Sequence, residues 1–160
     1  MIKVLFICHG NICRSPMAEY LFRDMVKNKG IADQFHIASA ATSREEIGNG
    51  IYPPARRKLA SVGINADGHS AKQVTKADYT EYDFLIVMER YNIPNLMRQI
   101  KEDPQNKVFR LLDFTQHPTD IADPWYTGDF DRTHKDIMKG LEGFLAYLQK
   151  EGLLNIAPSE

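Results

Sequence analysis

Cys8 and Arg14 are separated by five residues in the stretch VLFICHGNICRSPMAEYLF, residues 4–22. An apolar run ends abruptly at Cys8 and a helical pattern opens at Arg14, so the intervening loop joins a strand end to a helix start. In such a loop the backbone N–H groups converge on one point. The unpaired amides and partial positive charge of the helix N-terminus reinforce them. Gly10 and Asn11 are residue types that readily adopt positive φ, which a tight nest of amides requires. His9, Gly10, Asn11, Ile12, Cys13, Arg14 and Ser15 therefore form a candidate cradle for a small tetrahedral oxyanion. Arg14 adds a permanent charge and a planar fork matched to two phosphate oxygens. The G-x-x-x-x-G-K-[ST] pattern of a nucleotide-binding loop is missing.

A cysteine at a strand end is most often just a small buried apolar side chain. Here it stands at a helix N-terminus, among amide donors and near Arg14, surroundings that favour a thiolate at neutral pH. Ser15 can donate a further hydrogen bond to the sulfur. A thiolate beneath a bound phosphate is poised for in-line attack on phosphorus, giving a phosphocysteine. The leaving oxygen of a phosphate ester then needs a proton, which a carboxylic acid opposite the nucleophile supplies. The segment ADPWYTGD offers Asp123 in a loop, although Asp-Pro alone reads as a turn. Read by themselves, Trp125 and Tyr126 are ordinary core aromatics, His69 a surface or satisfied core histidine, and Asp129 the N-cap of a closing helix.

Alternating elements must position these residues. Apolar runs over Lys3–Cys8, Phe35–Ala41, Tyr82–Met88 and Lys107–Leu112 predict four strands. Helical spacing follows from Ser15, ended by Gly30, then over about Pro54–Val62, over Asn92–Ile100 and from Phe130 to about Gln149. Strand–helix alternation with short connections predicts an open parallel α/β sheet, in which ligands bind beyond the carboxyl ends of the strands. Cys8 lies at such an end.

The 160 residues are read as one domain over 1–155, with a frayed tail at 156–160. A net charge of −1 excludes a broadly basic nucleic-acid surface, so anion binding must be local. No signal peptide precedes the first strand, and the apolar runs are too short to span a bilayer; no membrane association and a cytoplasmic location are expected. Cys8 and Cys13 are the only cysteines, with no Cys/His cluster for a metal, and both are expected reduced.

The loop CHGNICRSP resembles that of the low molecular weight protein tyrosine phosphatases, and the likeness continues in SAATSREEIGN (39–49), GHSAKQ (68–73) and DPWY (123–126). The resemblance implies a three-layer αβα fold with an open four-stranded parallel sheet, Rossmann-like, of the phosphotyrosine phosphatase I type. It implies Cys8 as nucleophile, Arg14 as phosphate clamp and Asp123 as general acid and base, with no metal and no cofactor. His69 would hold Asn11 in a strained conformation, with Ser39 in the same network, and would not be the catalytic base. Trp125 and Tyr126 would wall the substrate cleft. Cys13 either fills space or forms a reversible disulfide with Cys8.

One departure stands out: where the family often has an aromatic on the loop after the second strand, this chain has Glu45, with Arg44 beside it. Expected partners are phosphotyrosine proteins as substrates and phosphate or vanadate as inhibitors, acting on a monomer. Protein-arginine phosphatases share the scaffold but carry Thr at the position of Ile12. Arsenate reductases need further cysteines that are missing after Cys13. A non-catalytic phosphate-binding module would lack the nucleophile or the acid, and both are present.

Overall fold

In the computed structural model, which describes residues 1–155, β1 (Ile2–Cys8) is covered on both faces. Val4, Phe6 and Cys8 point into one apolar cluster, while Leu5 and Ile7 point into a second. Two buried faces are why this strand reads as a continuous apolar run rather than an alternation. The anticipated frayed tail at 156–160 lies outside the described residues.

Four parallel strands form one sheet in the order β2 (Phe35–Ala41), β1, β3 (Phe84–Val87), β4 (Val108–Arg110). Cys8 pairs with Ala41 and Ile7 with Val87. The chain thus passes to one side of β1 first and to the other side later. That reversal makes the carboxyl end of β1 the switch point of the sheet. The larger cluster packs α1 (Arg14–Asn28), α2 (Pro53–Ser61) and α6 (Phe130–Lys150) on one face. The other face carries α3 (Lys76–Glu81) and α4 (Asn92–Ile100).

The expected four-stranded αβα architecture is therefore present, with three local corrections. The fourth strand stops at Arg110, because Leu111–Phe114 turns into a 3-10 helix whose Leu111 is fully buried. Helix α3 was not expected; its signal was Thr75 and Asp78, which cap reciprocally, the Thr75 hydroxyl accepting from Asp78 N and the Asp78 carboxylate from Thr75 N. A short α5 (Pro124–Thr127) follows Asp123. Asp129 caps α6 as anticipated, accepting from Arg132 N at 2.9 Å.

Helix α6 is seated against the 3-10 turn at two glycines. A Cβ at Gly143 would lie 2.3 Å from the carbonyl oxygen of Phe114, a backbone atom that cannot swing aside. Helix propensity alone would make Gly→Ala stabilising by about 0.5–1 kcal/mol. Overpacking against backbone outweighs this, so Gly143→Ala is expected to destabilise by about 2–3 kcal/mol. Urea unfolding checks it; an unchanged or raised midpoint would show that α6 can slide away from the turn.

Candidate active site

Helix α1 begins with Cys13 at its N-cap position, and Met17 N is bonded within the helix to Cys13 O at 3.1 Å. The amides of Arg14 and Ser15, one turn earlier, have no intrahelical acceptor by geometry, and Pro16 has no N–H to satisfy. They open onto the loop that leaves β1. Of the two residues expected at positive φ, only Asn11 adopts it, at 60°; Gly10 does not. Its missing Cβ instead leaves room beside Glu46, whose Cγ would lie 3.4 Å away.

Asn11 is held from every side. Lys72 N donates to its Oδ1 at 3.2 Å, which orients the amide nitrogen toward two hydroxyls. That nitrogen donates to Ser15 Oγ at 2.8 Å and to Ser39 Oγ at 2.9 Å. Its carbonyl accepts from His69 Nε2 at 2.7 Å, a contact that fixes the proton on that ring nitrogen. The left-handed backbone of Asn11 is thus over-determined by partners from three segments.

The order of donors then decides what reaches the sulfur. Ser15 Oγ accepts from Asn11, and its single proton has two acceptors in reach, Cys8 Sγ at 3.0 Å and, more distantly, Ala40 O at 3.5 Å. Asn11 N donates to the sulfur at 3.3 Å. Ser39, having accepted from Asn11, donates to Glu19 Oε1 at 2.5 Å. Glu19 is only 6% exposed and pairs with Arg23 at 2.6 Å. Sequence reading missed Glu19, since Glu and Arg four apart on a helix look like a surface pair; packing of α1 on the sheet buries it.

Arg14 is 2% exposed, and a buried guanidinium needs partners. Its Nη1 donates to Glu89 Oε2 at 2.9 Å and to Ile121 O at 2.8 Å, while Nη2 lies 3.4 Å from Asp123 Oδ2. Burial alone would weaken its charge, but Cys8, Asp123 and Glu89 outweigh that and hold the arginine above its ordinary pKa. Glu89 is thus a direct partner of the clamp. Ile121 is placed by its N–H to Met88 O at 2.9 Å, at the end of β3.

Asp123 serves two purposes at once. Its Oδ1 accepts from Trp125 N at 3.0 Å, capping α5, and its Oδ2 faces Arg14. The turn reading and the site reading are both realised. Trp125 and Tyr126 are exposed by 53% and 85%, too open for core aromatics. Tyr52, just before α2, supports Trp125 with ring centroids 4.7 Å apart. Sequence reading did not find this aromatic, because on the loop after the second strand it singled out only Glu45 and Arg44.

The mouth of the site is stitched together by backbone. Thr42 N donates to Cys8 O and Ser43 N to His9 O, at 2.9 and 3.1 Å. These bonds carry Glu45 to His9 Nε2, 3.0 Å away, and bring Glu46 alongside. The result is a cleft of about 270 Å³ lined by the loop, both glutamates, Asp123, Trp125 and Tyr126. Among the described residues no group of three or more His, Cys, Asp and Glu side chains is placed to hold a metal ion. None of the described helices is long and apolar enough to cross a membrane.

Both cysteines are unpaired and buried. Burial first, then the charges of Cys8 and Asp123, push the Cys13 thiol up from 9.0 to about 12. The folded protein therefore holds this proton where the unfolded chain releases it. The resulting stability is complete below about pH 9 and is lost as pH rises toward 12. Cys13→Ala should flatten the fall of the unfolding midpoint over that window; a parallel fall in both proteins would contradict the shift.

A family model for low molecular weight phosphotyrosine protein phosphatase matches residues 3–154. The chain is 39% identical over 153 residues to the low molecular weight protein-tyrosine-phosphatase YfkJ of Bacillus subtilis, covering 94% of this chain and 98% of that one. It is 35% identical over 151 residues to the low molecular weight phosphotyrosine protein phosphatase of Mus musculus, covering 89% and 93%. The crystal structure of Bacillus subtilis YfkJ superposes with a TM-score of 0.89 at 40% identity, covering 94% of this chain and 96% of that chain. A protein tyrosine phosphatase from Entamoeba histolytica does so at 0.85 and 28% identity, covering 96% and 100%. Because the family model matches residues 3–154, a span that takes in β1, the Asn11 network and the Asp123 turn, the chain belongs to the low molecular weight phosphotyrosine protein phosphatase family.

Proposed function

We propose that this protein hydrolyses phosphotyrosine and small aryl phosphates through a phosphocysteine. The observation that carries the reading is the placement of Cys8 Sγ. It accepts from Asn11 N and lies 3.0 Å from Ser15 Oγ beneath a helix N-terminus, in one cleft with a buried Arg14 and with Asp123.

The phosphate dianion is bound by the loop amides and by Arg14, whose fork spans two equatorial oxygens. The Cys8 thiolate attacks phosphorus in line, forming the S–P bond as the P–O bond to the aryl group breaks. Asp123, entering as the carboxylic acid, gives its proton to the departing oxygen. Water then attacks phosphorus and yields a proton to the Asp123 carboxylate. The S–P bond breaks, releasing phosphate and restoring the thiolate. Ser15 and Asn11 support the sulfur in both steps. His69, Ser39 and Glu19 keep Asn11 in the conformation that aims its N–H at the sulfur, and Trp125 and Tyr126 flank the aromatic ring.

No step requires a metal, since Arg14 and the amides supply the positive field. Two free buried thiols, one of them the nucleophile, fit a cytoplasmic enzyme. The test is turnover of p-nitrophenyl phosphate and a phosphotyrosine peptide near pH 6 with chelator present, beside a phosphoarginine peptide. Hydrolysis of the two aryl esters alone is expected. Preference for phosphoarginine, or no turnover of any of the three, would overturn the reading.

A further inference from the structure

Two carboxylates, Glu45 and Glu46, stand at the mouth of the cleft on the loop where the family often has an aromatic. Glu45 reaches His9 Nε2 at 3.0 Å, and both side chains are exposed. Glu46 leans over Gly10, and its Oε2 accepts from Asn49 Nδ2 at 2.6 Å, which keeps the carboxylate beside the phosphate loop. Of the basic side chains lining the cleft, Arg14 is buried and already faces Glu89 and Asp123, and His9 faces Glu45. Arg44, next in sequence to Glu45, does not line the cleft. The floor of the site is thus positive and its rim negative.

A phosphotyrosine side chain that reaches the floor brings its neighbouring residues to this rim. We infer that Glu45 and Glu46 are specificity-determining residues selecting phosphotyrosine flanked by Lys or Arg over phosphotyrosine flanked by Asp or Glu. The inference rests on the phosphatase reading above. Exposed charge pairs are individually weak, but two carboxylates of one sign act together on attraction and on repulsion alike. Neither touches the reacting atoms; each sets which sequence can present its phosphate to them.

The experiment measures kcat/KM for three phosphotyrosine peptides with Arg, Ala or Glu on both sides of the tyrosine. For wild type the Arg-flanked peptide is expected about tenfold above the Glu-flanked one at low ionic strength, the ratio shrinking in high salt. In Glu45→Gln/Glu46→Gln the ratio should collapse to within about twofold. Glutamine keeps the shape and the Asn49 contact, and comparing peptides within one protein cancels any change in overall turnover. A ratio near one or inverted in wild type overturns the inference, as does an undiminished ratio in the double variant. Wild-type hydrolysis of p-nitrophenyl phosphate separates the two failures. If it is absent, the phosphatase reading itself falls; if it is present with a flat peptide ratio, only the rim inference does.

Discussion

Cys8→Ser is expected to lower turnover of p-nitrophenyl phosphate by a factor on the order of 10⁴ or more. A serine hydroxyl is scarcely ionised at neutral pH and no base lies beside it to take its proton. Among the described residues, the hydrogen-bonding groups at the sulfur are Asn11 N, which donates, and the Ser15 hydroxyl. Binding should survive, because Arg14, the helix amides and the Asn11 network remain and a hydroxyl can meet the same two groups. Inorganic phosphate, titrated calorimetrically, should bind the variant about as tightly as wild type, since the groups that hold the dianion are unchanged. The pair of results matters more than either alone. Turnover near wild type would remove Cys8 as nucleophile. Loss of turnover together with loss of phosphate binding would mean that the cysteine holds the loop in shape rather than reacting.

Asp123→Asn is the second. Alanine would also remove the cap on Trp125 N and confuse a lost proton donor with a disordered turn. Asparagine keeps an oxygen for that N–H and changes only the ability to transfer a proton. Hydrolysis of phenyl phosphate, whose leaving group is a poor one, should fall by about 10²–10³, within the usual span of general acid catalysis. Hydrolysis of p-nitrophenyl phosphate, whose phenolate leaves readily, should fall far less. The comparison is kcat/KM across a series of substituted phenyl phosphates, which reports only the steps up to departure of the phenol and leaves out the water attack common to every ester. A steeper dependence on leaving-group quality in the variant supports the proton role. An equal loss for every ester would make Asp123 a partner of Arg14 and a helix cap, and nothing more.

The two substitutions probe parts of the site that differ in how they are encoded. The phosphate loop is one continuous segment, and its chemistry follows from local rules: an apolar strand, residues able to turn, a helix start, and a cysteine and arginine at fixed spacing. The sequence therefore showed the cradle, its nucleophile and its clamp without knowledge of any distant residue. Asp123 was legible as a turn from its own neighbourhood, but its approach to Arg14 was known only through resemblance. Even within the loop, the assignment of positive φ to Gly10 failed. Residue type permits that conformation without requiring it, and it is the partners on Asn11 that select one residue over the other.

The alternation of strands and helices, the doubly buried β1 and the oxyanion loop at its end were legible residue by residue, because hydrophobic periodicity and turn chemistry act over a few residues. The tertiary structure alone decided that Arg14 meets Glu89, Ile121 O and Asp123, up to 109 positions along the chain. It also buried Glu19 beneath the loop, set Tyr52 against Trp125 and put Glu46 beside Gly10. These are consequences of parallel strands that bring the ends of β1 and β3 together. A buried charge must find its partner wherever the sheet delivers one, and sequence spacing carries no record of that delivery.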